Sequence, residues 1–77
     1  MKLNDFIEGL QILQKHYDNR DGYHLGAGND IIYVYGTDVP LTEDDFIRLC
    51  ELNWFQPEIN SDDYADYNHE ESWATYV

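Results

Sequence analysis

Apolar side chains recur at helical spacing near the start of the chain. Intervals of four, three and four residues, which line one face of a helix, separate Phe6, Leu10, Leu13 and Tyr17. Asn4 is a suitable N-cap, and the run at residues 18–22 ends in Gly22, which can adopt the left-handed conformation that terminates helices. The pattern therefore predicts an amphipathic helix over residues 4–18.

A β-hairpin is predicted next, over residues 23–36. Its first strand spans residues 23–27, and a Gly-Asn-Asp turn leads into the sequence Ile-Ile-Tyr-Val-Tyr at residues 31–35. β-Branched and aromatic residues beside such turn residues are typical of a hairpin. Because side chains alternate between the two faces of a strand, Tyr33 and Tyr35 lie on the same face.

The second helix carries the clearest local signals in the chain. Thr42 is a strong N-cap, and carboxylates at the next three positions favour the positive end of the helix dipole. Leu41 before the cap and Phe46 after it form a hydrophobic staple. We expect this helix to end near residues 52–53, before Pro57.

The last 20 residues differ in composition from the rest. Residues 58–71 are acidic and polar, with interleaved tyrosines. We expect residues 70–76 to form a short helical turn that packs its aromatic side chains on the domain. The predicted organisation is a compact domain at 1–57 followed by an acidic, aromatic C-terminal arm at 58–77.

These elements predict an α+β fold in a small single domain. The order is α-β-β-α, with the β-hairpin packed on two helices and the arm after them. Twelve aromatic residues among 77 give such a short chain enough large side chains for a core. The high aromatic content argues against disorder despite the charge.

Charge is the most unusual property of the sequence. Sixteen Asp and Glu face four Lys and Arg, for a net charge of −12, and no basic residue follows Arg48. Nucleic-acid binding requires a basic surface, and anionic membranes repel an acidic one, so neither is expected as a direct partner. The one cysteine, Cys50, and the lack of an apolar run at the N-terminus predict a cytoplasmic protein.

Catalytic and metal-binding patterns find little support. His16, His24 and His69 are scattered, and His69 lacks the second histidine four residues later that a zinc-protease helix would have. Cys50 sits among apolar helical positions, which favours a core thiol over a nucleophile. No stretch has the spacing of a calcium-binding loop or a phosphate-binding glycine loop. We therefore expect a protein that is not an enzyme and that has no cofactor, no metal site and no catalytic residue.

A partner-binding surface is the remaining candidate for function. Twelve charges match about 20 Å of duplex DNA at one charge per about 1.7 Å, which is comparable with the size of this chain. The surface is predicted to combine carboxylates with aromatic anchors, which dominate interface hot spots. Its predicted members are Asp44, Asp45, Glu51, Asp62, Asp63, Tyr64, Asp66, Tyr67, Glu70, Glu71 and Trp73.

Residues 3–10, 21–24, 32–35 and 52–57 resemble stretches of small acidic proteins of bacteriophages and prophages. The resemblance covers about three quarters of the chain and implies a bacterial host cell as the location. Those proteins imply no catalytic or binding residue for this one. In size and acidity the chain also resembles phage inhibitors of host defence, including anti-CRISPR and anti-restriction DNA mimics.

Two functions remain open from the sequence. The first is a phage-encoded inhibitor that binds a host protein with a basic nucleic-acid-binding cleft, such as a CRISPR effector or a restriction enzyme, by DNA mimicry. The second is a small adaptor or regulatory module whose hairpin face, with Tyr33 and Tyr35, binds another protein. In that second case the acidity serves only solubility.

Overall fold

The computed structural model describes residues 1–19 and 21–77, and these form two α-helices and one antiparallel sheet. Arg20, part of the predicted helix stop, lies outside the described residues. The class of a small mixed helix-and-sheet fold is confirmed. The elements in chain order are α1 (Leu3–Gln14), β1 (Leu25–Gly28), β2 (Ile31–Val34), α2 (Glu43–Glu51), a 3-10 turn (Tyr64–Asp66) and β3 (Trp73–Tyr76).

Helix α1 begins and ends earlier than the sequence predicts. The N-cap is Lys2, without a side-chain cap, and Asn4 already lies inside the helix. After Gln14 the backbone tightens, because the N–H of His16 donates to the carbonyl of Leu13 at 3.0 Å. The freed carbonyl of His16 accepts from two amides of the loop before α2, at 3.1 and 3.2 Å. A tertiary contact thus ends the helix before residue 18.

The hairpin is confirmed, with slightly different bounds. Leu25 pairs with Val34 and Gly28 pairs with Ile31, which leaves a two-residue loop. Asp30 in that loop has a φ of 62°, a conformation that Asp tolerates better than most residues.

The chain ends in a third strand, so the predicted helical turn over residues 70–76 is wrong. Strand β3 pairs antiparallel with β2, placing Trp73 opposite Val34, and β2 is the central strand of the sheet. On its other side, Ala74 bridges to Phe55 through two backbone hydrogen bonds of 2.7 and 2.9 Å. The predicted boundary at residue 57 between the domain and the C-terminal arm stays a prediction. The C-terminal segment contributes the strand β3 to the same sheet as the hairpin.

Helix α2 agrees with its local signals. The hydroxyl of Thr42 accepts from the amide of Asp45 at 3.2 Å, as expected for an N-cap. The helix ends at Glu51, and Asn53 follows with a φ of 67° in the left-handed region. Local capping explains both ends of this helix.

One core joins both helices to the sheet. Leu13 of α1, Val34 of β2 and Leu49 of α2 are each at most 2% exposed. The other members of this cluster are Ile12, Tyr17, Leu41, Phe46, Leu52, Trp54 and Trp73. No described helix is long and apolar enough to cross a membrane.

Candidate functional site

Two tyrosine hydroxyls hold the acidic segment, residues 58–71, against the start of α2. The hydroxyl of Tyr64 donates to the carbonyl of Leu41 at 2.8 Å, and the amide of Leu41 donates to the hydroxyl of Tyr67 at 3.1 Å. The backbone N–H and C=O of buried Leu41 therefore both have hydrogen-bond partners in this segment. The hydrogen bonds fix the segment in place over the helix N-terminus.

The same tyrosines pack their rings on the core. Phe46 lies 5.3 Å from Tyr64 and 5.3 Å from Tyr67, measured between ring centroids. Burial raises the pKa of Tyr67 above its ordinary value, although its hydrogen bond to the backbone of Leu41 acts in the opposite direction. Both predicted anchors are half-buried, so part of each ring serves the fold and part faces solvent.

Trp73 does not belong to this surface. Its side chain is 1% exposed, and its ring packs 5.7 Å from Phe46 and 5.8 Å from Tyr67. A partner cannot contact a ring that the core covers so completely. Trp73 therefore supports the segment from beneath, and we remove it from the predicted binding residues.

The carboxylates of the 3-10 turn are held by neutral donors. Asp63 accepts from the amide of Ala65 at 3.0 Å, and Asp66 accepts from the hydroxyl of Ser61 at 2.6 Å. Ser61 in turn accepts from the amide of Asp63 at 3.1 Å. These local bonds orient the two side chains without neutralising them, and both residues are exposed.

Asp62 is also exposed, and its charge reaches the neighbouring helix. Burial raises the pKa of the Cys50 thiol, and the negative charge of Asp62 raises it further. The protonated thiol is favoured there, whereas a nucleophilic cysteine needs a lowered pKa.

Two of the predicted α2 carboxylates have basic partners. Asp45 lies 3.1 Å from the Nζ of Lys15 and 3.1 Å from the Nε2 of His16. Burial acts to raise the pKa of Asp45, but these two neighbours outweigh it and hold that pKa below its ordinary value. Glu51 lies 3.6 Å from Arg48. Asp45 and Glu51 therefore contribute less negative potential than the sequence indicates.

Gln56 positions the far end of the acidic segment and is a residue that the sequence analysis missed. It is 6% exposed, and its Nε2 donates to the carbonyl of Asn68 at 2.7 Å and to that of Glu71 at 3.2 Å. Its position after Trp54 and Phe55 was the available signal, since a buried side-chain amide is hydrogen-bonded and most often to the backbone. Glu70 is exposed and Glu71 is half-buried at this end.

Six of the eight predicted carboxylates have no basic partner within 4.0 Å among residues 1–19 and 21–77. We call this set the acidic face. Its members are Asp44, Asp62, Asp63, Asp66, Glu70 and Glu71.

Two of the three histidines make structural contacts. His16 pairs with Asp45, and His24 stacks on Tyr17 at 4.0 Å between ring centroids. In the described part of the chain, no group of three or more His, Cys, Asp or Glu side chains is placed to hold a metal ion.

Tyr33 and Tyr35 differ in exposure. Tyr35 is 48% exposed, whereas Tyr33 is half-buried.

Comparison of the chain with protein-family models, with curated proteins and with solved structures found no match.

Proposed function

We propose that this protein inhibits a nucleic-acid-handling protein by placing the acidic face in its basic cleft. The observation that carries the proposal is a set of six carboxylates without basic partners among the described residues. Five of them lie on the segment that Tyr64, Tyr67 and Gln56 fix in place. Together with the resemblance to phage proteins, this supports a phage-encoded inhibitor of a host CRISPR effector or restriction enzyme.

Pre-organisation favours such binding. Association is opposed by the entropy lost when loops and side chains become ordered. Asp63 and Asp66 already accept hydrogen bonds in the free protein, so less ordering remains for the bound state. A fixed array of charges also steers a basic partner and speeds encounter.

The charge and the size are compatible with mimicry of a nucleic-acid backbone. The protein measures 29 Å along its longest axis and carries a net charge of −12. Duplex DNA of that length carries about 17 charges at one per about 1.7 Å. The two charge densities are of the same order, so a cleft that accepts DNA would also attract this protein.

The experiment is a pull-down with the tagged protein from a lysate of defence-proficient bacteria. Retained proteins are identified by mass spectrometry after washes at about 50 mM and about 500 mM salt, because phosphate-mimicking contacts weaken steeply with ionic strength. We expect a nucleic-acid-guided or nucleic-acid-cleaving protein that the high-salt wash releases. A salt-resistant partner without nucleic-acid function would favour the adaptor alternative through Tyr35.

A pair of matched variants tests the acidic face itself. Asp62→Asn, Asp63→Asn and Asp66→Asn together remove three negative charges, which changes the net charge from −12 to −9, while Asn keeps an acceptor oxygen for the local hydrogen bonds.

The control makes the same change in charge elsewhere, through Asp5→Asn, Asp21→Asn and Asp30→Asn. We expect the first triple variant to lose the partner and the control to retain it. Equal retention by the two variants contradicts the role of the acidic face.

A further inference from the structure

Strand β1 has a free edge. The amide of Tyr35 donates to the carbonyl of His24 at 2.8 Å, which identifies these two residues as a hydrogen-bonded pair of the antiparallel ladder. Such pairs alternate with non-hydrogen-bonded pairs, and Leu25 and Ala27 therefore direct their N–H and C=O groups away from β2. Within residues 1–19 and 21–77 no backbone hydrogen bond reaches those outward groups.

The opposite edge of the sheet is already covered. Ala74 in β3 exchanges two backbone hydrogen bonds with Phe55, at 2.7 and 2.9 Å. In the described part of the chain no segment covers β1 in this way. Its sequence of Leu, Gly, Ala and Gly contains neither a lysine nor a proline to block strand addition. An extended segment can therefore pair with β1.

An apolar cleft lies next to this edge, between α1 and the hairpin. Its volume is about 310 Å³, at the lower end of the range of ligand pockets. Ile7, Leu10 and Leu13 of α1 form one wall, and Leu25 and Val34 lie on the side of the sheet.

Part of this apolar lining faces solvent. Leu25 is 62% exposed and Ile7 is 42% exposed, and Leu3 continues the same helix face at 72%. Leu25 and Val34 are opposite each other in the ladder, so their side chains share the face of the sheet that borders the cleft. A side chain of a strand added to β1 would enter the cleft from the same face.

The net charge of the protein favours one kind of segment as the partner of β1 and the cleft. A second copy of this chain would bring a net charge of −12 against −12, and the repulsion opposes pairing of two β1 edges. An extended segment with Lys or Arg beside an apolar side chain has the complementary charge and fills the cleft. We propose that β1 and the cleft bind such a basic, apolar extended segment of a partner protein by strand addition.

This site is separate from the acidic face. The cleft is lined by residues of α1 and the hairpin, and none of them belongs to the acidic face. The inference therefore stands or falls independently of the proposed inhibitor function.

The test begins with a phage-displayed library of random 12-residue peptides panned on the full-length protein. The enriched peptides are sequenced, and the most enriched one is synthesised and titrated against the protein by NMR. We expect an apolar core flanked by Lys or Arg, and amide resonances of Leu25 and Ala27 that shift on titration.

Substitution at the edge provides the first control. Ala27→Pro removes an outward N–H that β2 does not use, so the sheet keeps its ladder while the edge loses a donor. Ala27→Ser keeps that N–H. We expect about tenfold weaker peptide binding for the proline variant and unchanged binding for the serine variant.

N-methylation of the peptide tests strand pairing without changing the protein. Methyl groups on one alternating set of amides block the bonds to β1, whereas methyl groups on the other set face away. We expect only one of the two methylated peptides to lose binding. Absence of any enriched peptide, or equal effects of the two methylation patterns, would overturn the proposal.

Discussion

The indole ring of Trp54 lies directly against the backbone of Gly9. A Cβ atom at residue 9 would overlap the indole Nε1 atom and would approach its Cε2 to 2.9 Å. Trp54 is 2% exposed and has the core on its other side, so the ring has little room to retreat. Helix α1 thus has its glycine at the position where one of the two buried tryptophans packs against the helix backbone.

We expect Gly9→Ala to destabilise the protein. Alanine gains about 1 kcal/mol of helix propensity over glycine, but overpacking against the indole costs about 1–3 kcal/mol. The net loss is read from urea unfolding. The control is Asn4→Ala at an exposed position of the same helix, which should leave the free energy of unfolding unchanged or slightly raised. A stabilised Gly9→Ala variant contradicts the close contact.

The tyrosine hydroxyls give a second prediction. Tyr67→Phe leaves the amide of buried Leu41 without its partner, which should cost about 1–3 kcal/mol of stability. Hydrogen exchange of the Leu41 amide should speed up accordingly. Tyr23→Phe is the control, because Tyr23 is 99% exposed. An unchanged exchange rate at Leu41 would show that the bond to Tyr67 contributes little.

Strand β3 is expected to be essential for folding. Trp73→Ala removes a side chain that is 1% exposed, at a cost of about 3–5 kcal/mol. That cost is a large part of the roughly 5–15 kcal/mol that stabilises a typical domain. Tyr76→Ala in the same strand, at 64% exposure, should cost far less. Thermal unfolding followed by circular dichroism compares the two variants. Similar losses of stability in both would contradict the burial of Trp73.

Acid dependence is predicted for Asp45. Its lowered pKa in the folded state means that it stabilises the fold above its ordinary pKa and that this contribution is lost as the pH falls through the folded value. We expect Asp45→Asn to cost about 1 kcal/mol at pH 7, since the pair is partly exposed.

As the pH falls through the lowered pKa of Asp45, the difference from the unsubstituted protein should shrink and then disappear, because Asp45 becomes protonated. Urea unfolding curves recorded from pH 7 into the acidic range measure the difference in the free energy of unfolding between the two proteins. A constant difference at all pH values would assign the effect to packing instead of charge.

Alkaline dependence is predicted for Tyr17. Burial, with the charge of Asp38 as a smaller cause, raises the pKa of Tyr17 to about 12. A raised pKa in the folded state gives stability that is complete below the ordinary value of about 10 and is lost as the pH rises toward 12.

The hydroxyl of Tyr17 also donates to the carbonyl of Tyr35. We therefore expect Tyr17→Phe to lose about 1 kcal/mol at neutral pH and to unfold less steeply between pH 10 and 12. Urea unfolding at several alkaline pH values measures both effects. Identical pH profiles for the two proteins would place the titration on another tyrosine.

The candidate site was only partly predictable. The charges of Asp62, Asp63 and Asp66 are evident from composition, and their exposure agrees with it. The pairing of Asp45 with His16 was not evident, because 29 residues separate the two. Charge can be counted along a chain, whereas its neutralisation depends on which distant residues meet.

Elements whose signals are local follow directly from the amino-acid sequence. Thr42 and the carboxylates after it cap α2 within one turn, and the two-residue loop at Asn29 and Asp30 sets the register of the hairpin. These contacts join residues a few positions apart, so they need no knowledge of the rest of the chain.

The end of α1 and the conformation of residues 73–76 depend instead on contacts between distant parts of the chain. His16 leaves the helix because distant amides and Asp45 bind it, and residues 73–76 become a strand because β2 offers a free edge. Short apolar segments have no strong preference of their own, and the available partner then selects their conformation. The same packing places Trp73 in the core instead of on the binding surface.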